Sequence, residues 1–129
     1  MINSYKDLIV WQKSMELVTE IYKITELFPK SELYGIVSQM RRASVSIPSN
    51  IAEGRKRSTR KDFKQFLIIA YASASELETQ IEISKRLEFI LIDNYTKMDA
   101  LLLEVIKMLN KMISTLRNDQ PITGQASND

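Results

Sequence analysis

The sequence predicts an all-α fold, an antiparallel up-and-down four-helix bundle, on three observations. Apolar residues recur at spacings of three and four through four long stretches, the rhythm of one buried face on a helix. Only three glycines and three prolines occur in 129 residues, too few turn and breaker residues for a many-stranded sheet. Leu, Ile, Met, Lys and Glu dominate a chain that is 44% hydrophobic, a composition suited to amphipathic helices. A chain of this size buries roughly two-thirds of the surface its unfolded form exposes, so one domain needs no metal or disulfide to hold it.

The first helix is expected from Asp7 or Leu8 to Phe28, with Asp7 as cap and Pro29 as stop. Leu8, Trp11, Met15, Val18, Tyr22 and Thr25 form its stripe, and Leu17, Ile21, Ile24 and Phe28 widen it, while Glu16 and Glu20 read as solvated. The second helix is expected from a Ser31 cap, with Glu32 in its first turn, through Leu33, Met40, Ile47 and Ile51. Pro48 cannot donate to the Ser44 carbonyl and crowds the preceding turn, so this helix is predicted to kink. Gly54 suits the helix end.

Thr59 is the expected cap of the third helix, with Asp62 three residues on as the acidic half of a capping box. Phe63, Phe66, Leu67, Ala70, Ala74, Leu77 and Ile81 face the core, and the small residues from Ala70 to Ser75 permit close helix approach. The helix should fade at Leu87 to Phe89. The fourth helix occupies Ile92 to Arg117 on a stripe of Tyr95, Met98, Leu102, Val105, Leu109, Met112 and Leu116. Leu101, Leu103, Ile106, Met108 and Ile113 enlarge it, which implies a broad core contact or an oligomer interface. Residues 118–129, with Pro121 and Gly124, read as a flexible tail behind a helical domain over 1–117.

Cysteine and histidine are both absent, which removes disulfides, thiolate nucleophiles, Cys/His zinc sites and the commonest general base near neutral pH. The amino terminus carries no basic region leading into an apolar run, and no apolar stretch approaches the roughly 20 residues of a membrane span. A cytoplasmic protein without a membrane partner is expected.

Glu53, Glu76, Glu78 and Glu82 invite comparison with carboxylate bundles that bind two metals, but the Glu-x-x-His pairs of such centres need histidine. A magnesium-dependent nuclease built from carboxylates alone stays open as an alternative. There is no glycine-rich phosphate loop, and caps or packing explain Ser44, Ser46 and Ser58 better than serine–lysine chemistry does. The expectation is a non-enzymatic chain without cofactor or bound metal.

The formal charge of +2 conceals a strong asymmetry. Arg41, Arg42, Arg55, Lys56, Arg57, Arg60, Lys61 and Lys64 stand against Glu53 and Asp62, making the window 41–64 +6 and leaving −4 for the rest. Such a cluster attracts phosphate backbones or an acidic protein surface. Two readings follow: direct nucleic-acid binding, or a scaffold or interaction protein that assembles with proteins associated with nucleic acid.

The run Asp7-Leu8-Ile9-Val10-Trp11-Gln12-Lys13, the run from Gln39 to Gly54 that contains Arg41-Arg42-Ala43-Ser44-Val45-Ser46-Ile47-Pro48-Ser49-Asn50-Ile51-Ala52-Glu53-Gly54, and Ser75-Glu76-Leu77-Glu78-Thr79-Gln80 closely resemble the S23-like four-helix-bundle family. Its members are often encoded by intervening sequences within bacterial 23S ribosomal RNA genes. The resemblance runs from Asp7 to Leu116 and implies an intracellular bundle assembled as a homopentameric ring, with RNA or another nucleic acid as a candidate partner. An accessory protein of diversity-generating retroelements, which forms such a ring and binds nucleic acid, is an analogy. The matched positions place a shared surface around Arg41, Arg42, Pro48, Asn50, Glu53, Gly54, Arg57, Glu76 and Glu78, with Trp11 a further structural or interface candidate. Whether Arg42 meets phosphate or Glu76 of a neighbouring subunit is left open by the resemblance.

Overall fold

Each of the four apolar stretches forms a helix. A computed structural model describes residues 4–118, in which α1 (Ile9–Thr25), α2 (Ser38–Arg55), α3 (Arg60–Arg86) and α4 (Thr96–Asn118) follow one another. Contacts between helix ends establish antiparallel order. Thr25, closing α1, meets Arg41 of early α2; Gly54 of late α2 meets Phe63 and Phe66 of early α3; Lys85 of late α3 meets Asp99 of early α4. Each helix packs on its sequence neighbours and α4 closes on α1. Apart from Asn118, which ends α4, the expected tail lies outside the described residues.

Leu17, Ile21, Met40, Ile47, Ile51, Leu67, Leu77, Met98, Val105 and Leu109 are almost wholly enclosed and form one core shared by all four helices. Ala70 and Ala74 are fully buried too, in keeping with close packing along α3. The buried centre of α1 runs through Val10, Ser14, Leu17, Ile21 and Ile24, and the stripe that includes Met15 and Tyr22 lies at its exposed edge. Two adjacent apolar stripes share one period, so spacing alone does not say which is central. On α4, Leu101 and Ile113 turn inward, Ile106 and Met108 pack partly against the core, and Leu103 remains exposed.

Several helix ends differ from expectation. Ser4, rather than Asp7, caps the entry: its hydroxyl accepts from the Lys6 N–H at 3.1 Å and closes a 3-10 turn over Tyr5–Asp7. α1 ends at Thr25, and two turn hydrogen bonds carry the chain on to Phe28. The Ser31 region is a 3-10 turn, Lys30–Glu32, followed by a π-helical turn over Leu33–Val37, and regular α2 starts only at Ser38. The second helical stretch is kinked. Gly35 departs from helical geometry at φ −107°, ψ −116°, and Pro48 lies buried inside α2, where it bends the hydrogen-bond ladder without ending it, since the helix continues to Arg55. Thr59 caps α3 as expected, its hydroxyl accepting from the Asp62 N–H at 3.1 Å.

Glu20 is a correction. Rather than a solvated residue without a basic partner, it is 7% exposed and lies 3.8 Å from Lys97 of α4 and 4.0 Å from Lys23. Burial of its stem between α1 and α4 is compensated by these two cations. Nearby, Ser84 donates to the Ile81 carbonyl at 2.7 Å, which leaves its oxygen to accept from the Tyr95 hydroxyl at 2.9 Å. Burial pushes the Tyr95 phenol above the ordinary tyrosine range, against the opposing pull of that hydrogen bond and of Lys85.

α3 stops on a Schellman arrangement: Glu88 N–H donates to the Lys85 carbonyl at 3.1 Å and Phe89 N–H to the Ser84 carbonyl at 3.4 Å. Glu88 sits at φ 56°, the left-handed position usually given to glycine, and Phe89 then packs on Phe28 at 5.2 Å between ring centroids. Glu88→Gly is therefore expected to stabilise the fold by about 0.5–1 kcal/mol. Denaturant titration checks this, and a loss of stability would contradict it.

Candidate interface at the basic end

The antiparallel order brings the start of α1, the end of α2, the start of α3 and the end of α4 to one end of the bundle. Arg55, Lys56, Arg57, Arg60, Lys61 and Lys64 come from the α2–α3 junction, and the topology adds Lys6, Lys111 and Arg117 from distant sequence. The neighbouring acids at this end are Asp7, Glu53 and Asp62. Lys6, Lys56, Arg57, Arg60, Lys61, Lys111 and Arg117 are exposed. A surface of one sign draws phosphate oxygens by summed charge, without base recognition.

Local structure fixes some of these side chains. Arg57 pairs with Glu53 at 2.7 Å and lies 4.8 Å from the Phe66 ring, so its guanidinium is oriented across the α2–α3 join. Lys56 lies 5.4 Å from the Tyr5 ring, which in turn meets Trp11 edge to face at 5.3 Å. Arg55, Arg57, Ser58, Thr59, Arg60 and Phe63 line a shallow hollow at the junction. Arg57 covers the Phe66 ring, and Phe63 is half-buried at the edge of that hollow.

Arg41 and Arg42 do not join this cluster. They stand thirteen or more residues before Arg55 on one helix, about 20 Å along its axis. Arg41 clamps α1 to α2: it donates to Thr25 Oγ1 at 3.0 Å, pairs with Glu26 at 3.3 Å and covers the Tyr22 ring at 4.6 Å. Arg42 is exposed on the outer side of α2.

The remaining candidates separate into distinct roles. Asn50 donates to the Ser46 carbonyl at 2.8 Å and to its hydroxyl at 3.0 Å, and that hydroxyl meets Ser73 of α3 at 2.8 Å, forming a polar tie across the α2–α3 seam. Gly54 stands one residue before the end of α2, as the helix-end reading expects, and an added Cβ there would come 2.7 Å from Phe66 Cβ and 3.1 Å from Phe63 Cδ1. Its place is a close crossing, recognisable only once α3 is in position.

Trp11 and Pro48 line an apolar groove with Tyr5, Met15, Val18, Val45, Ser49 and Ala52 along the α1/α2 seam. Glu78 and Glu82 line a smaller hollow with Lys85, Asp99, Leu102 and Leu103 on the α3/α4 seam, and Glu76 is exposed nearby on α3. Among the described residues no group of three or more acidic side chains is placed to hold a metal ion, so Glu53, Glu76, Glu78 and Glu82 do not converge as a dinuclear centre requires. No described helix is long and apolar enough to cross a membrane. At the end opposite the cations, Tyr34 is 93% and Leu91 79% exposed, an apolar tip that periodicity did not reveal because both lie in connections.

Comparison with known proteins agrees with this architecture. A crystal structure of a protein of unknown function from the S23 ribosomal protein family of Bacteroides thetaiotaomicron VPI-5482 is 28% identical, with a TM-score of 0.75 over 81% of this chain and 98% of that one. No curated protein matches the chain. The family model of the 23S rRNA-intervening sequence protein matches residues 6–111, nearly the whole helical bundle. With the fold and most of its length thus accounted for, the chain belongs to the 23S rRNA-intervening sequence protein family.

Proposed function

We propose that this chain is a non-enzymatic, cytoplasmic interaction protein that assembles with copies of itself, a pentamer by family resemblance, and offers its basic end to the phosphate backbone of RNA. The observation that carries the reading is the convergence on one end of the bundle of cations from α2, α3, α4, the α2–α3 connection and the turn that leads into α1. The family's link to 23S rRNA supplies the choice of RNA over other polyanions. Contacts of such cations to phosphates read charge and not bases, so binding tolerates sequence and falls steeply with salt.

The test is RNA binding by the full chain at a series of salt concentrations, with Arg55, Arg60 and Lys61 jointly replaced by alanine. Each lost phosphate contact lowers the log–log salt slope by about 0.7–0.9, so the triple variant is expected to lose roughly two units. An unchanged slope with unchanged affinity would remove the junction from the contact. Retention of protein partners without any RNA affinity in the wild type would favour the scaffold reading alone.

A further inference from the structure

The end of the bundle away from the cations gathers apolar surface. Of the thirteen large hydrophobic residues exposed among the described residues, six lie on the α1–α2 and α3–α4 connections: Leu27, Leu33, Tyr34, Leu87, Leu91 and Ile92. The contact of Phe28 with Phe89 ties the two connections into one surface. Turn hydrogen bonds, Glu32 N–H to the Pro29 carbonyl at 2.9 Å and Asn94 N–H to the Leu91 carbonyl at 3.0 Å, hold that surface in shape, so an incoming group finds it formed in advance. The α3–α4 connection also curls around an open hollow of about 620 Å³, lined by Lys85, Glu88, Phe89, Ile90, Leu91 and Ile92, a volume in the range of pockets that enclose a ligand.

Charge at this tip is opposite to that at the basic end. Residues 26–37 and 87–95 carry Glu26, Glu32, Glu88 and Asp93 against Lys30, a net charge of −3. The cations behind them are engaged: Arg41 with Glu26, Arg86 with Glu82, Lys85 with Asp99, and Lys23 and Lys97 with Glu20. Glu32, Glu88 and Asp93 are exposed and make no ion pair or side-chain hydrogen bond among the described residues. A phosphate backbone or an anionic lipid surface is repelled by such a rim, and a second copy docking tip to tip would set carboxylate against carboxylate. The complement is a surface that presents large apolar side chains and cations together.

We infer that this tip docks a basic amphipathic helix of another protein. The apolar face of that helix covers Tyr34, Leu91 and Ile92, one of its large side chains enters the hollow beside Phe89 and Ile90, and its lysines or arginines meet Glu32, Glu88 and Asp93. Tyr34 supplies the main anchor, a large and stiff side chain that loses little freedom when covered. α3 alone, at 27 residues, separates this tip from the basic end by about 40 Å. A protein held at the tip and an RNA held at the basic end therefore do not compete, and neither site depends on the other.

Three labelled helical peptides probe the full-length chain by fluorescence anisotropy: leucine with lysine, leucine with glutamate, and alanine with lysine, the leucines recurring every three or four residues. The leucine–lysine peptide is expected to bind at least about tenfold more tightly than the other two, since each of those lacks one half of the match. Tyr34→Ser with Leu91→Ser is expected to lower its affinity at least about tenfold, and Glu32→Gln with Asp93→Asn to weaken binding and flatten its salt dependence. The second pair leaves every apolar contact in place, and circular dichroism verifies the fold of both. Val45→Ser, in the α1/α2 groove, should bind the peptide as wild type does, and both tip variants should keep wild-type RNA affinity, so this site and the RNA site fail separately. Equal binding of the two leucine peptides would overturn the proposal, as would loss of binding on Val45→Ser with the tip variants unaffected. Capture of neutral phosphatidylcholine vesicles that Tyr34→Ser with Leu91→Ser abolishes would make the tip a lipid contact, and slower sedimentation of that variant than of wild type would make it a contact between copies; either result would overturn the proposal too.

Discussion

Gly54→Ala is expected to destabilise the fold by about 1–3 kcal/mol, although the same change in an open helix gains close to 1 kcal/mol. The new methyl would lie 2.7 Å from Phe66 Cβ and 3.3 Å from the Phe63 carbonyl oxygen, neither of them the far end of a flexible side chain. Repacking Phe66 offers no escape, because the atom struck is one that every residue except glycine carries. The helices themselves must separate, and with them the join across which Arg57 reaches Phe66. For a domain of this size the loss corresponds to several degrees in melting temperature. Melting curves recorded at one protein concentration keep assembly from contributing to the difference. An unchanged or raised melting temperature would show that α2 and α3 do not approach this closely.

Gly54 also marks the boundary of what the sequence discloses. Periodicity located four helices, and Thr59 announced the start of α3, because caps and stripes are local properties that need no knowledge of neighbours. The close crossing at Gly54 belongs to two helices at once, and a glycine followed by a basic, serine-containing connection reads locally as a terminus. Glu20 and Arg41 are similar. Each is a charged residue on an amphipathic helix, and only the neighbouring helix supplies Lys97 to one and Thr25 and Glu26 to the other. The turn at Leu33–Val37 was hidden for another reason: Leu33, Ile36, Val37 and Met40 keep a helical spacing even though the backbone around Gly35 does not. The candidate site was half legible. The run from Arg55 to Lys64 is contiguous and stands out by count, whereas Lys6, Lys111 and Arg117 join it only through antiparallel topology.

That topological addition predicts a second large effect. Replacing Lys111 and Arg117 together by alanine is expected to weaken RNA binding by about 30-fold at 0.15 M salt, the change that follows from losing two phosphate contacts at a slope of about 0.9 each. Both side chains are exposed on the final turns of α4, away from the core, so helicity and melting temperature should stay close to wild type. Binding titrations at rising salt distinguish the possible outcomes. A drop of roughly two units in the log–log slope means that RNA lies across the whole end of the bundle and bridges segments about fifty residues apart in sequence. A wild-type slope confines the contact to the α2–α3 junction, where the Arg55, Arg60 and Lys61 variant acts. The sum of charge over the chain is nearly neutral, so a binding site of this kind arises from where the helices end. Moving the same two cations to exposed positions at the other end of α4, with net charge unchanged, should therefore leave the affinity as low as removing them does.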